Sequence, residues 1–326
     1  MTDTSSPSGF ADERLAAHAW AADLIGLPWP ERLRRIREDR AFASPSFIEL
    51  SISLGQDLCL SPSEREEWAQ LAVEAAIRGP SRRSEELEPL AWAVLGNAQR
   101  VRGRLARSGA AFRCCHTLRY RSRLRMESAE TLSLEASHWY AIACRRARRR
   151  EMRHGDRRSD EALARAAELI DEALRRATPT AADSVIGRYE IKAGMIANEA
   201  RPSRWPVAMT MLLSALDRID PATHPRLALS AADNLARTAF YSGQLDSAME
   251  GVVRMRNLYD LVSDPGLLLH RNWLVADIAE ARGEVNEAER LLHAIRDGFV
   301  ANGMGLGGSL AEIEIARLSG AAGRRP

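Results

Sequence analysis

The sequence predicts an all-α protein, and three observations carry that prediction. Apolar residues recur at intervals close to 3.6 positions along most of the chain. Capping residues followed by proline, and glycines that follow apolar runs, mark where helices start and stop. Short segments also recur along the chain with small residues at matched offsets. We find neither the alternating apolar pattern of a strand nor an Asn-Gly hairpin signal between apolar runs.

The composition describes an ordinary globular chain and excludes several classes of protein. Of the 326 residues, 45% are hydrophobic and 28% are charged, with a net charge of +2. No run approaches the ~18 apolar residues of a membrane helix, and the N-terminal segment lacks a basic stretch before an apolar core. The four cysteines have no disulfide-framework spacing, which suits a reducing compartment. We therefore expect a cytoplasmic protein with no membrane association, in which residues 1–9 form a disordered tail.

The helix boundaries can be placed in order along the chain. Ser44-Pro45, Ser61-Pro62 and Asp264-Pro265 each put a capping side chain before a proline, and Glu64 completes a capping box with Ser61. Glycine supplies the positive φ that often ends a helix, and we expect such ends at Gly79, Gly243, Gly283 and Gly303. About fourteen helices joined by short turns follow, and antiparallel helices joined in this way stack into a solenoid.

Three segments align without gaps, beginning at Leu95, Leu235 and Val275. Each has a small residue second, a glycine seven places later, another small residue five places after that, and then an apolar residue. In that order the residues are Gly96, Gly103, Ser108 and Phe112; Ala236, Gly243, Ala248 and Val252; and Ala276, Gly283, Ala288 and Leu292. The small residues let two helices approach closely, the glycine turns the chain, and the apolar residue fills the groove between hairpins.

This pattern resembles the tetratricopeptide repeat (TPR), with Trp92 and Leu95 at further motif positions of the first unit. Ala162 and Ala208 offer the small position of two more second helices. From Ala208 through Ala248 to Ala288 the spacing is 40 residues, similar to long-period bacterial TPR-like repeats. The resemblance implies a right-handed α-solenoid, or superhelix, of TPR-like hairpins. We expect irregular helices over 10–82, the repeat array over 83–320 as one domain, and a tail at 321–326.

The resemblance further implies a non-catalytic adaptor, scaffold or sensor that binds a peptide or protein segment in its concave groove. Helix positions that should face this groove are filled by Asn97, Arg100, Asn234, Arg237, Trp273, Asp277 and Glu280. Asn97 and Asn234 match asparagines of TPR domains that clamp carboxylates, but Ala93 stands where the clamp lysine would be. Two alternatives stay open: a nucleic-acid-associated regulator, and the regulatory subunit of a multiprotein bacterial system.

The run "FRCCHTLRYRSRLR" at residues 112–125 combines two cysteines, a histidine and five arginines. Consecutive helical residues point about 100° apart, so Cys114 and Cys115 cannot bind one metal together, and neither has a ligand at i+3 or i+4. Cys115 shares the Phe112 face and is interpreted as a core residue. We predict no metal site.

Arginine is concentrated between residues 98 and 158, where 17 arginines stand against 5 acidic residues. The densest part is a basic patch consisting of Arg145, Arg146, Arg149, Arg150 and Arg153. Three interpretations remain open: a solvated helix end, a surface for an acidic protein segment, and a nucleic-acid contact. Nucleic acid is the least favoured, because no DNA-reading module accompanies the patch.

The remaining motifs give no sign of catalysis or of a cofactor. "GMGLGG" at 303–308 matches a dinucleotide pattern but lacks the preceding strand, so we interpret it as a flexible turn between helices. No phosphate-binding loop, metalloprotease motif or nucleophile elbow is present. His270 and His293 lie on predicted helices without ligand spacing. The expectation is a protein without catalytic residues or cofactors.

Overall fold

The computed structural model describes residues 7–57, 60–121, 128–150, 157–177, 181–200, 204–262, 264–302 and 304–322. Within these ranges every regular element is helical, with sixteen α-helices and one 3₁₀ turn. The chain divides into two compact units, unit 1 (Met1–Arg176) and unit 2 (Ala177–Pro326). No helix in the described ranges is both long and apolar enough to cross a membrane.

Eight helices begin in unit 1, and a 3₁₀ turn at Arg40–Ala43 lies between the second and the third. They are α1 (Pro7–Ile25), α2 (Trp29–Glu38), α3 (Pro45–Gln56), α4 (Pro62–Arg78), α5 (Arg82–Val101), α6 (Leu105–Arg121), α7 (Ala129–Arg150) and α8 (Arg157–Ala177). α3 packs on α4, α4 on α5, and α5 on both α6 and α7. The helices therefore stack in chain order as hairpins.

Unit 2 contains the other eight helices. They are α9 (Asp183–Ala200), α10 (Trp205–Arg218), α11 (Pro225–Tyr241), α12 (Leu245–Arg254), α13 (Arg256–Val262), α14 (Pro265–Ala281), α15 (Val285–Ala301) and α16 (Gly305–Ala322). The hairpins are α9–α10, α11–α12 and α14–α15, and each packs on the element that follows it. Both units are thus all-α stacks of TPR-like hairpins, which confirms the predicted fold class.

The small residues of the repeat lie between packed helices, as the alignment predicted. Ala248 is 0% exposed and Ala288 is 1% exposed. A Cβ added to Gly96 would come within 2.9 Å of the Phe112 ring, so the first helix of that hairpin can approach the second only because the side chain is absent. We call the first helix of each hairpin helix A and the second helix B.

The turn between helix A and helix B requires glycine in three aligned hairpins. Gly103, Gly243 and Gly283 have φ values of 72°, 80° and 81°. Gly79 is different, because its φ of −66° is open to any residue, and the expectation of a positive φ there was wrong. Its small size matters instead, since an added Cβ would lie 2.2 Å from the Ser84 hydroxyl oxygen. Gly303 lies outside the described residues.

The predicted helix starts are confirmed. Ser61 and Glu64 form a full capping box, in which the Ser61 amide donates to the Glu64 carboxylate at 2.8 Å and the Glu64 amide donates to the Ser61 hydroxyl at 3.3 Å. The Ser44 hydroxyl accepts from the Phe47 amide, and the Asp264 carboxylate accepts from two amides of its helix. Each such cap stabilises its helix by about 1 kcal/mol.

Arginine–carboxylate pairs tie neighbouring hairpins together in both units. Their partners stand 34 to 38 positions apart, about one repeat. They include Arg32–Glu67, Arg37–Glu74, Arg83–Glu49, Arg102–Glu66 and Arg104–Glu66 in unit 1, and Arg282–Asp246 and Arg317–Glu280 in unit 2. Arg218–Asp183 has a similar separation but joins α10 to α9 within one hairpin. Arginines in both units therefore join one hairpin to the next.

Three details differ from the sequence-based picture. More helices are present than the expected fourteen, in part because a turn at Met255 separates α12 from α13. α1 begins at Pro7 and residues 1–6 lie outside the described ranges, as do 323–326 at the other end. The glycine run at 303–308 is helical from Gly305 rather than a turn, and Gly307 packs against the Phe299 ring. The single repeat array expected over 83–320 stays a prediction, and its residues belong to both units.

Candidate functional site

A row of charged and aromatic side chains lies on the helix A elements of unit 2, namely α11, α14 and α16. Arg237 on α11 is its centre, since Nε donates to Asp233 Oδ2 at 2.9 Å and Nη2 donates to the His270 carbonyl of α14 at 3.1 Å. Burial opposes the Arg237 cation, but Asp233 more than offsets this, so the pKa of Arg237 is raised. The guanidinium is therefore held rigidly across two successive helix A elements.

Asp277 on α14 is the unusual member of this row. It is half-buried, and among the described residues its carboxylate accepts no hydrogen bond and forms no ion pair. Burial raises the pKa of Asp277 to about 6, and the charges of Glu280 and Glu314 add to this against the opposing charges of Arg237 and Arg317. A half-buried carboxylate without a donor is costly, so a fold has no structural reason to keep it.

Glu280, one turn beyond Asp277, is already engaged. Its carboxylate accepts from Arg317 Nη2 of α16 at 2.5 Å, and Arg317 Nε donates to Glu314 at 2.6 Å. Arg317 was not identified from the sequence. The signal that could have found it is the 37-residue separation from Glu280, which matches the other ties between hairpins.

Two tyrosines belong to the same region and were also missed. Tyr241, the last residue of α11, is 50% exposed and offers an aromatic edge beside Arg237, whose charge acts on its hydroxyl. Tyr259 is buried; its hydroxyl donates to Asp233 at 3.5 Å, and the Arg271 guanidinium lies 5.5 Å from its ring centre. The Asp233–Arg237 pair was open to prediction, because the two residues are i,i+4 on one helix.

Two residues expected in the groove have other roles. The Asn234 side-chain amide donates to the Ser230 carbonyl of its own helix at 2.8 Å. Trp273 is half-buried and packs against Phe299, with ring centres 6.2 Å apart, so it supports the core between α14 and α15. Of the five predicted residues in unit 2, the structure brings Arg237, Asp277 and Glu280 together.

Asn97 and Arg100, the two other predicted contacts, lie in unit 1. Both Nε and Nη2 of Arg100 donate to Asn97 Oδ1, at 3.1 and 2.9 Å. Burial lowers the pKa of Arg100, and the neighbouring charge of Arg65 lowers it further. The buried Nε of Arg65 has no hydrogen-bond acceptor among the described residues. Two half-buried cations thus stand close together, and within the described part of the chain neither forms an ion pair with a carboxylate.

The predicted basic patch is described only in part. Arg145 is exposed on α7 and lines a surface depression with the α5–α6 turn. Arg146, Arg149 and Arg150 belong to the same helix, but their side chains lie outside the described residues, as does the whole of Arg153. The described part of the chain contains no grouping of three or more metal-binding side chains. Cys115 is fully buried, as expected of a core thiol.

A serine–histidine pair in unit 1 has the residue types of a catalytic site but not its accessibility. Ser108 and His138 are hydrogen-bonded, and Glu135 lies one turn before His138. Ser108 has no exposed surface, and the pKa of His138 falls to about 4 because the ring is buried. Glu135 instead lies 3.1 Å from His116 and accepts from the Trp139 indole. Ser108 and His138 are therefore a buried part of the core and not an accessible catalytic pair.

No family model matches the sequence, and no curated protein matches it. Among solved structures, the chain is similar to a Rap protein complexed with Competence and Sporulation Factor. The two are 15% identical, and the alignment covers 95% of this chain and 100% of that chain with a TM-score of 0.38. A likeness at that score is too distant to assign a function, so the function has to be derived from the residues themselves.

Proposed function

We propose that this chain is a non-catalytic TPR-type interaction module, an adaptor, scaffold or sensor, that binds a peptide or protein segment. The binding surface is the A-helix face of unit 2, formed by Arg237, Tyr241, Asp277 and Glu280. Because the hairpins hold these side chains in place before binding, an extended segment would lose little additional freedom on docking. The thiols of Cys114, Cys115 and Cys144, none of them in a disulfide, support a cytoplasmic location.

The proposal rests on the Asp277 carboxylate, which is half-buried and points to a missing partner. Its neighbours Arg237 and Glu280 are hydrogen-bonded to Asp233 and Arg317, whereas Asp277 has no such partner among the described residues. A lysine or arginine side chain of a bound segment would donate a hydrogen bond to this carboxylate and form an ion pair with it. The Tyr241 ring would add a cation–π contact to the same basic group. The segment is therefore expected to carry a basic residue opposite Asp277.

A random-peptide display library, selected on the full-length chain near pH 7, tests the proposal. We expect enrichment of peptides with lysine or arginine at one fixed position. Asp277→Asn should weaken a selected synthetic peptide about tenfold in fluorescence anisotropy, equivalent to roughly 1.4 kcal/mol. Glu287→Gln, an exposed carboxylate of the helix B element α15, is the matched control and should bind normally. No enrichment, or equal loss in both variants, would refute the proposal.

A further inference from the structure

Unit 1 carries an open depression of about 390 Å³ where the turn between α5 and α6 meets α7. It is lined by Gly103, Arg104, Leu105, Ala106, Arg107 and Arg145. Arginines make up half of this lining, and no acidic residue contributes to it. The depression therefore concentrates positive charge in one concave part of unit 1, whereas the residues of the proposed function belong to unit 2.

Among the described residues, carboxylates do not neutralise all three guanidinium groups. Arg104 Nη1 donates to both oxygens of Glu66, at 2.8 and 2.9 Å, but Glu66 also accepts from Arg102 at 2.6 Å. One carboxylate is thus shared by two cations. Arg107 and Arg145 are exposed and have no carboxylate within ion-pair distance among the described residues. The depression keeps a net positive charge, and Glu66 holds one of its guanidinium groups in place.

The backbone keeps this spot open and adds to its charge. Gly103 turns with φ of 72°, and no atom lies within 4 Å of the place its Cβ would occupy. α6 begins at Leu105, so the amide groups of its first turn have no acceptor within the helix, and the Arg104 side chain before them cannot accept a hydrogen bond. The partial positive charge of the helix start supplements the arginines, which carry the site.

The fold itself does not require arginine at these places. At the positions aligned with Arg104 the chain has Gln244 and Glu284, and at the position aligned with Arg107 in the second repeat it has Ser247. The turns that contain them have the same positive-φ glycine and the same buried small residues. Neutral and acidic residues therefore satisfy this turn equally well, and the arginines need another explanation.

We propose that the depression formed by Arg104, Arg107 and Arg145 binds an oxyanion, carboxylate or phosphate, presented by an acidic segment of a protein partner. Planar guanidinium groups bind such oxyanions through paired hydrogen bonds. A nucleic acid would need a longer track of unpaired cations. Other arginines of unit 1, such as Arg37 and Arg83, are instead paired with carboxylates. A single acidic cluster fits this arrangement better.

The test uses the full chain and a fluorescein-labelled peptide of about ten glutamates, measured by anisotropy at roughly 50 mM salt, where screening is weak. We expect binding that is weakened three- to tenfold by Arg107→Ser, which copies Ser247, and by Arg145→Ala. The double variant should lose more than tenfold. Arg254→Gln, an exposed arginine of α12, is the matched control and should bind normally. Circular dichroism of each variant verifies that the fold is kept.

Three further binding measurements distinguish the possible ligands of the depression. A glutamine version of the peptide should not bind, and inorganic phosphate should compete if the site recognises single oxyanions. A single-stranded oligonucleotide of equal charge that binds more tightly than the peptide, and loses affinity in the same variants, would overturn the proposal in favour of nucleic acid. Unchanged peptide binding in the double variant would overturn it outright. Asp277→Asn should leave this binding unaltered, so failure here is distinguishable from failure of the proposed function.

Discussion

Ser108 Oγ lies 2.8 Å from His138 Nδ1, and both side chains are buried between α6 and α7. Ser108 occupies the small position of its repeat, where the other two aligned hairpins have Ala248 and Ala288. Alanine would pack there equally well, but it could not satisfy the buried ring nitrogen. Serine at this one repeat is therefore explained by its histidine neighbour.

Replacing Ser108 with alanine should destabilise the protein although alanine suits the repeat. The His138 nitrogen would be left buried without a partner, at a cost of about 1 to 3 kcal/mol. Urea unfolding followed by circular dichroism measures this as a lower midpoint. Thr117→Ala, an exposed site on the same helix, should change stability by less than about 0.5 kcal/mol. A Ser108→Ala protein as stable as the parent would contradict the hydrogen bond.

Unit 1 should lose stability on mild acidification through His138. Burial lowers its pKa to about 4 in the folded state from an ordinary 6.5, so the unfolded chain takes up the proton first as the pH falls. The stabilisation that neutral His138 contributes is complete above pH 6.5 and is lost as the pH falls from 6.5 to 4. At pH 5 the loss is about 2 kcal/mol of unfolding free energy. Unfolding at pH 7 and pH 5 should reveal it, and His138→Gln should reduce the difference. An unreduced difference would implicate other groups.

Asp277 should show the opposite pH dependence. Its folded pKa of about 6 exceeds the ordinary 3.8, so the folded state holds the proton more tightly and stability falls as the pH rises between these values. After allowance for partial exposure, Asp277→Asn should stabilise the protein at pH 7 by about 1 kcal/mol. The gain should fall to nearly zero at about pH 3, where the Asp277 carboxyl is protonated in both the folded and the unfolded chain. Denaturant midpoints at the two pH values measure it, and a loss of stability at pH 7 would disprove it.

Gly283 should not tolerate a side chain. With φ of 81°, alanine there would be strained by about 1 to 2 kcal/mol. Gly320 on α16 provides the control, because nothing lies within 4 Å of its Cβ position, and alanine at an exposed helical site should stabilise by about 0.5 to 1 kcal/mol. Thermal melts of the two variants should therefore shift in opposite directions. Equal shifts would mean that the turn conformation is different.

Arg100→Met should raise the melting temperature. Methionine keeps the apolar stem of the side chain and removes a half-buried cation that lies near Arg65. Among the described residues, Asn97 is the one acceptor of that cation. Relief of burial and like-charge repulsion should outweigh the lost hydrogen bond by about 0.5 to 1 kcal/mol. Calorimetry of the variant beside the parent decides this. A lower melting temperature would mean that Arg100 is a structural residue.

The packing of the repeats could be predicted from the sequence because it depends on side-chain size at fixed offsets. Ala248 and Ala288 are buried where the alignment placed them, and Gly243 and Gly283 take the positive φ that the turn needs. These features are repeated, and repetition is visible in a single chain. The prediction of a positive φ at Gly79 was wrong because that glycine belongs to none of the aligned repeats. Its small size instead leaves room for the Ser84 side chain.

The candidate site was only partly predictable, because its contacts join residues about one repeat apart. The Arg237 bond goes to a backbone carbonyl at His270, which no side-chain pattern indicates. Trp273 has the composition of a binding residue, but its ring packs on Phe299, and only the tertiary arrangement decides between these uses.

Among the described residues, the arginine–carboxylate ties that join hairpins reach from one hairpin to the next, as in Arg282–Asp246. None of these ion pairs in the described ranges joins helices that are two hairpins apart. Copying or deleting one whole hairpin would therefore affect the ion pairs of that hairpin and leave the others intact. Such a chain can lengthen by tandem gene duplication without first inventing new long-distance contacts. Arg107 differs from Ser247, the residue at the aligned position of the second repeat. On this view, such differences mark repeats that have diverged toward a separate binding role.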